Sequence, residues 1–172
     1  MSTGLYLTLR VVHVLLAALW IGSTVFISLL LMPAIEMSGP AGGQVMVGLD
    51  RRGINAYMGA IGGITVLTGI LLFWRYTAGF DPVLSGSRAG ISYSIGGLAG
   101  LLAVIVGGAV VGRSAKKVMD IMQKAGPMAE GPERGRLMQE AAGLRQRLKT
   151  FGAVVILLQL IALVTMTIAH LI

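Results

Sequence analysis

The chain has 172 residues, 55% of them hydrophobic, with 14 Lys and Arg against seven Asp and Glu, a net charge of +7 and no cysteine. A mean hydropathy of +0.83 places it outside the soluble globular class. The missing cysteines exclude disulfides, iron–sulfur clusters, thiolate metal sites and a covalently attached c-type haem, which needs a C-x-x-C-H motif.

Four charge-free runs, Val11–Ile35, Gly53–Trp74, Ala89–Gly112 and Thr150–Ile172, punctuate the sequence. Each exceeds the roughly 20 apolar residues that a helix needs to cross a bilayer. Backbone polar groups in lipid must be satisfied within the segment, so these runs are expected to be helices. The predicted architecture is all-α, an integral membrane four-helix bundle in one domain over 1–172.

Helix one is predicted over 6–32, closed by Pro33; it is too long for a removed signal peptide and reads as an anchor. The following loop, Glu36–Arg52, carries Gly39-Pro40 and Gly42-Gly43 and reads as irregular backbone. Helix two is predicted over 54–76, ending in the aromatic and basic cluster Phe73-Trp74-Arg75-Tyr76. Asp81-Pro82 and Ser85-Gly86 then supply turn chemistry suited to a short lid. Helix three is predicted over 89–112 and continues beyond the membrane, because Arg113–Ala125 combines good helix formers with apolar Val118, Met119, Ile121 and Met122. Gly126-Pro127 and Gly131-Pro132 break it, and helical periodicity resumes before helix four at 150–172. The segment 113–149 is thus a helical hairpin extending helices three and four into the cytoplasm, either a plain bundle extension or a docking site for another subunit.

Arg51, Arg52, Arg113, Lys116, Lys117, Lys124, Arg134, Arg136, Arg145, Arg147 and Lys149 fall in the two loops on one side; only Arg10, Arg75 and Arg88 fall on the other. That asymmetry marks the first side as cytoplasmic and puts both termini outside. The positive charge therefore reads as loops beside anionic lipid headgroups, and nucleic-acid binding is not expected.

The two histidines, His13 and His170, are the only ones in the chain. Counting about 1.5 Å per residue, each lies about 30 Å above the opposite end of its helix. Two imidazoles at one depth on different helices suit the axial positions of haem b, or a small metal site. Arg10, three residues before His13, shares its face, and Trp20 follows seven residues after. Arg10, Arg75 or Arg88 would pair with the propionates, Trp20 and glycine faces would wall the macrocycle, and Tyr93 would hydrogen-bond a propionate or bound water. The plainer alternatives are interfacial arginines, and belt aromatics for Trp74 and Tyr76. Gly59-x-x-x-Gly63, Gly96-x-x-x-Gly100 and Gly108-x-x-x-Gly112 allow close helix packing, or a flat ligand's approach. Ten methionines raise copper as an alternative cofactor, although their scattering reads as gap-filling.

All seven acidic residues lie in loops or at loop edges, so no membrane carboxylate pair exists to relay protons. No phosphate-binding glycine loop and no Ser-His-Asp arrangement is visible, and no catalytic residue stands out.

Leu9-Arg10-Val11-Val12-His13, with Trp20-Ile21-Gly22 and Pro33, resembles the opening helix of bacterial CopD-type copper-resistance membrane domains and of the HemJ group of protoporphyrinogen oxidases. Arg52-Gly53-Ile54-Asn55, followed by Thr65, Thr68 and Gly69, is similar to the second helix of the HemJ group. The likeness covers about the first 75 residues. It implies a haem-b- or copper-associated inner-membrane bundle with His13 as a metal-binding position. The third helix departs from the HemJ pattern, since Ala89–Gly112 holds no ionisable group except Tyr93 where those chains carry a lysine and a further histidine.

Three functions therefore stand open. One is a haem b protein handling electrons or haem at the outer side of the membrane, as an oxidoreductase or electron-transport component with a quinol, small oxidant or redox protein as partner. The second is a CopD-like copper-handling protein. The third is a non-catalytic assembly subunit or homo-oligomer that works through its glycine faces and hairpin.

Overall fold

A computed structural model describes residues 2–172 and is helical almost throughout, with no strand among them. Four helices are long and apolar enough to span a membrane: α1 (Thr3–Met37), α3 (Ile54–Tyr76), α5 (Arg88–Ala125) and α6 (Pro132–Ile168). Two shorter helices, α2 (Pro40–Arg51) and α4 (Pro82–Ser85), occupy the first two connections. The chain is a multi-pass membrane protein with an all-α four-helix bundle. Large apolar side chains such as Leu15, Leu30, Leu67, Leu98 and Leu157 stand more than half exposed around its outside, as a lipid-facing belt requires.

Consecutive spans are antiparallel and close a ring in the order α1, α3, α5, α6. The pairs α1–α3 and α5–α6 pack closely, whereas α3–α5 and α1–α6 touch more sparsely. The centre holds Trp20, Ile61, Ala103 and Val155, with Leu158 and Val106 against them. Hydroxyls at this depth are satisfied locally: Thr24, Thr65 and Thr68 donate to the carbonyls of Trp20, Ile61 and Ile64, one turn back.

Several boundaries differ from the sequence expectation. Helix one does not stop at Pro33. A π-helical turn at Ile27–Leu31 shifts the hydrogen-bond register, and Pro33 enters the next α-helical segment in its first turn, where its missing N–H is tolerated. The loop expected to be irregular contains α2. Gly39 supplies the break with φ +54°, Pro40 starts the new helix, and Gly42 allows the backbone to approach, since a Cβ there would collide with the Ile35 carbonyl oxygen. The expected lid is a single turn, α4, capped by Asp81, whose carboxylate accepts from the amides of Val83 and Leu84. Helix four ends at Ile168, so His170 lies in the turn beyond it.

The helical hairpin is present. α5 runs unbroken past the span through a second π-helical turn at Gly107–Gly112, and α6 runs 37 residues from Pro132. Its apolar stripe is not free: Val118 and Met119 bury against Ile35 of α1 and Met46 of α2, with Leu144 and Leu148 of α6 alongside. This small core, filled partly by methionine, ties α2 to the hairpin. We call this the hairpin end of the molecule and the opposite one the histidine end.

Candidate functional site

The close packing of α1 on α3 is built from two large rings seated on two glycines. A Cβ on Gly69 would lie 3.0 Å from Cε1 of His13, and one on Gly62 would lie 2.9 Å from Cε2 of Trp20. His13 and Trp20 are seven residues apart, as are Gly62 and Gly69, so antiparallel helices bring both pairs into register. The next step of seven toward the histidine end reaches Tyr6 and Tyr76, which with Arg75 line a pocket of about 270 Å³.

The His13 ring is fixed by hydrogen bonds as well as by packing. Its Nδ1 lies 2.9 Å from the Thr65 carbonyl oxygen and 3.1 Å from Oγ1 of Thr68. A carbonyl can only accept, and the Thr68 hydroxyl already donates to Ile64, so the proton of the neutral imidazole sits on Nδ1. Nε2 is then unprotonated and has no hydrogen-bond partner among the described residues.

His170 is held differently. Nη2 of Arg10 donates to its Nε2 at 2.7 Å, and its Nδ1 lies 3.2 Å from the Tyr93 hydroxyl. Because guanidinium has no acceptor, Nε2 accepts and Nδ1–H donates to Tyr93. Both ring nitrogens are occupied. Tyr93 also meets the His170 ring edge-on, with centroids 5.9 Å apart, and packs on Tyr76 at 5.1 Å.

The structure thus joins Arg10, His170, Tyr93 and Tyr76 in one cluster at the histidine end and places Arg75 beside it with Tyr6. It does not direct the two imidazoles at a common partner: His13 bonds to α3, and His170 to α1 and α5. Trp20 is buried in the bundle core. Trp74 is half exposed with its indole near Gly79, and Arg88 is an exposed residue in the first turn of α5; neither reaches the cluster. Of the glycines in the three sequence motifs, Gly96 packs tightly, against Thr165 and Met166 of α6. Gly59, Gly63, Gly100 and Gly108 face open space.

Thr65 and Thr68 entered the sequence reading only through the family resemblance, and Tyr6 did not enter it at all. Tyr6 stands one step of seven before His13 on α1, whereas Thr65 and Thr68, three residues apart on α3, meet His13 only through the α1–α3 pairing.

For a haem, the donor set fits in one respect. His13 offers an oriented, unprotonated Nε2, and Arg10, Arg75 and three tyrosines gather at the same end. Asp81, in the connection between α3 and α5, is engaged in capping α4. A two-histidine sandwich would require His170 to exchange Arg10 for the metal. No group of three or more His, Cys, Asp or Glu that could hold a metal ion occurs among the described residues. No family model, curated protein or solved structure matches the chain.

Proposed function

We propose that this chain binds haem b at the outer side of the bacterial cytoplasmic membrane and handles electrons, or haem itself, there. One observation carries the reading: the hydrogen bond from Nδ1 of His13 to the Thr65 carbonyl, which leaves Nε2 free as a ligand. Metal-binding histidines characteristically donate their other ring N–H to a carbonyl or carboxylate, which fixes the tautomer and raises ligand basicity. The excess of Lys and Arg in the hairpin-end loops supports outward-facing termini.

In this reading His13 is the iron ligand, and Arg10 and Arg75 neutralise propionates at the water boundary. His170 and Tyr93 are positioning residues that hold the Arg10 guanidinium. Trp20, seated on Gly62, closes the bundle two turns below His13 and keeps water from passing inward. The bound group would supply reversible one-electron chemistry, with its potential set by axial ligation and burial. The copper reading would need further donors next to Nε2 of His13. The assembly-subunit reading draws on the open glycines of α3 and α5.

The test is the absorption spectrum of protein supplied with haem during expression and purified in detergent, oxidised and then dithionite-reduced. Wild type is expected to show a haem Soret band that shifts on reduction, His13→Ala to lose it, and His170→Ala to retain it with weakened haem retention. A colourless wild-type protein overturns the proposal.

A further inference from the structure

The positive charge at the hairpin end is not spread over the hairpin. Arg113, Lys116 and Lys117 follow directly on the third charge-free run, and Arg145, Arg147 and Lys149 lead directly into the fourth. Arg51 and Arg52 close α2 just before the second run begins at Gly53. At about 1.5 Å per residue, the six cations of α5 and α6 lie within about 8 Å of the span ends. Glu36 and Asp50 are the only acidic residues as close to a span at this end. Farther out the hairpin is nearly neutral, with Lys124, Arg134 and Arg136 against Asp120, Glu130, Glu133 and Glu140. Arg134 there pairs with Glu130 at 3.4 Å.

The cations of this collar are accessible and largely unpaired. Seven of the eight are exposed; Arg145 is half-buried, with its guanidinium donating to Met122 Sδ. Lys149 alone has a carboxylate, Glu36 at 2.9 Å, among the described residues. Nor do the charges hang on loose loops. α2, α5 and α6 share the small core of Met46, Val118, Met119, Leu144 and Leu148, which holds them as a fixed array on three helices. A preformed array is spared most of the ordering entropy that a flexible basic tail loses on each headgroup.

Distance decides what such a collar meets. Lys124, near the hairpin turn, lies eleven residues beyond Arg113, about 17 Å along the helix. Screening acts over about 8 Å at physiological ionic strength, so the collar acts on the bilayer surface and the outer hairpin does not. Lys and Arg stems lie along apolar surface and deliver their charge to the phosphate layer just outside the apolar runs. A soluble acidic partner would find its charge complement on the projecting part, where the cations are already balanced. We infer that the collar is a binding surface for acidic phospholipids of the hairpin-end leaflet, which this chain retains in preference to zwitterionic ones. The inference is independent of haem binding, since no residue of the His13 site enters it.

The test is electron spin resonance on protein reconstituted into phosphatidylcholine vesicles with trace spin-labelled phosphatidylglycerol or phosphatidylcholine. The motionally restricted component measures lipid held at the protein surface. Wild type is expected to hold the acidic lipid about fivefold more strongly, the effect of roughly one cation on each headgroup. High salt should abolish the preference in the unaltered protein. Combined Arg113→Gln, Lys116→Gln, Lys117→Gln and Arg147→Gln should abolish it at low salt, and combined Lys124→Gln and Arg136→Gln should leave it. Both leaflets carry label, so the direction of insertion does not enter. Equal retention of the two lipids by wild type overturns the inference and leaves the collar to a soluble acidic partner. A preference that survives the collar substitutions, or is lost equally with the outer ones, also overturns it.

Discussion

The imidazole of His13 lies against Gly69, with 3.0 Å between its Cε1 and the position a Cβ would take. The ring cannot retreat without giving up its bond to the Thr65 carbonyl, so packing and hydrogen bonding hold it jointly. Gly69→Val is therefore expected to destabilise by about 1–3 kcal/mol through overpacking. Gly63→Val, on the same helix but facing open space, is expected to be neutral or slightly stabilising, because glycine is a poor helix former. Thermal unfolding of both variants in one detergent distinguishes them, and equal destabilisation would contradict the seating of His13 on Gly69.

The contact between Arg10 and His170 joins residues 160 positions apart and ties the two ends of the chain together. It is exposed, so its net worth is modest, about 0.5–1 kcal/mol. A double-mutant cycle with Arg10→Ala and His170→Ala should return a coupling of that size. Tyr93→Phe should weaken the Arg10–His170 coupling, because it frees the other ring nitrogen.

At the opposite end Val118 is completely buried between α1, α2 and α6. Val118→Ala should cost about 2 kcal/mol from lost burial and the cavity left behind. Val118→Asp should detach α2 and the hairpin from each other while leaving the spans inserted. Limited trypsin digestion checks this: cleavage between Arg113 and Lys149 should accelerate strongly in the aspartate variant and little in the alanine variant.

The proposed placement of the termini outside gives a direct expectation for tagged protein. A reporter active only outside the cytoplasm, fused after Ile172, should be active, and the same reporter inserted at the Gly126–Gly131 turn should be silent. The reverse pattern would overturn the orientation and with it the outer-side location of the proposed site.

The four spans and the hairpin were legible because uninterrupted apolar runs and a periodic stripe at Val118, Met119 and Ile121 depend on composition and spacing alone. Counting residues also gave the right end of the bundle for both histidines. It gave neither the direction in which each ring points nor the neighbour it meets, because helical rise fixes height and not azimuth. His170 additionally lies beyond the last helical residue, Ile168, so the count of rise carries past the end of the helix that justified it. The glycine motifs misled for a related reason. The four-residue spacing drew attention to Gly59 and Gly63, whereas the glycines that seat rings on α3 are Gly62 and Gly69, whose spacing of seven matches His13 and Trp20 on the facing helix. α2 was hidden because its glycines argue against a helix locally; what favours it is the burial of Met46 with Ile35, Val118 and Met119, visible only in three dimensions. Gln159, an amide within the fourth apolar run, is 1% exposed and donates to Thr24 on the facing helix.

α6 is a single helix of 37 residues, about 55 Å long, and nearly half of it projects past the bilayer. A rod of that stiffness does not absorb displacement along its length. Whatever tilts the hairpin, a neighbouring protein or a change in membrane thickness, must also move the turn that holds His170 against Arg10. The basic hairpin and the turn that holds His170 against Arg10 are thus joined by one uninterrupted helix.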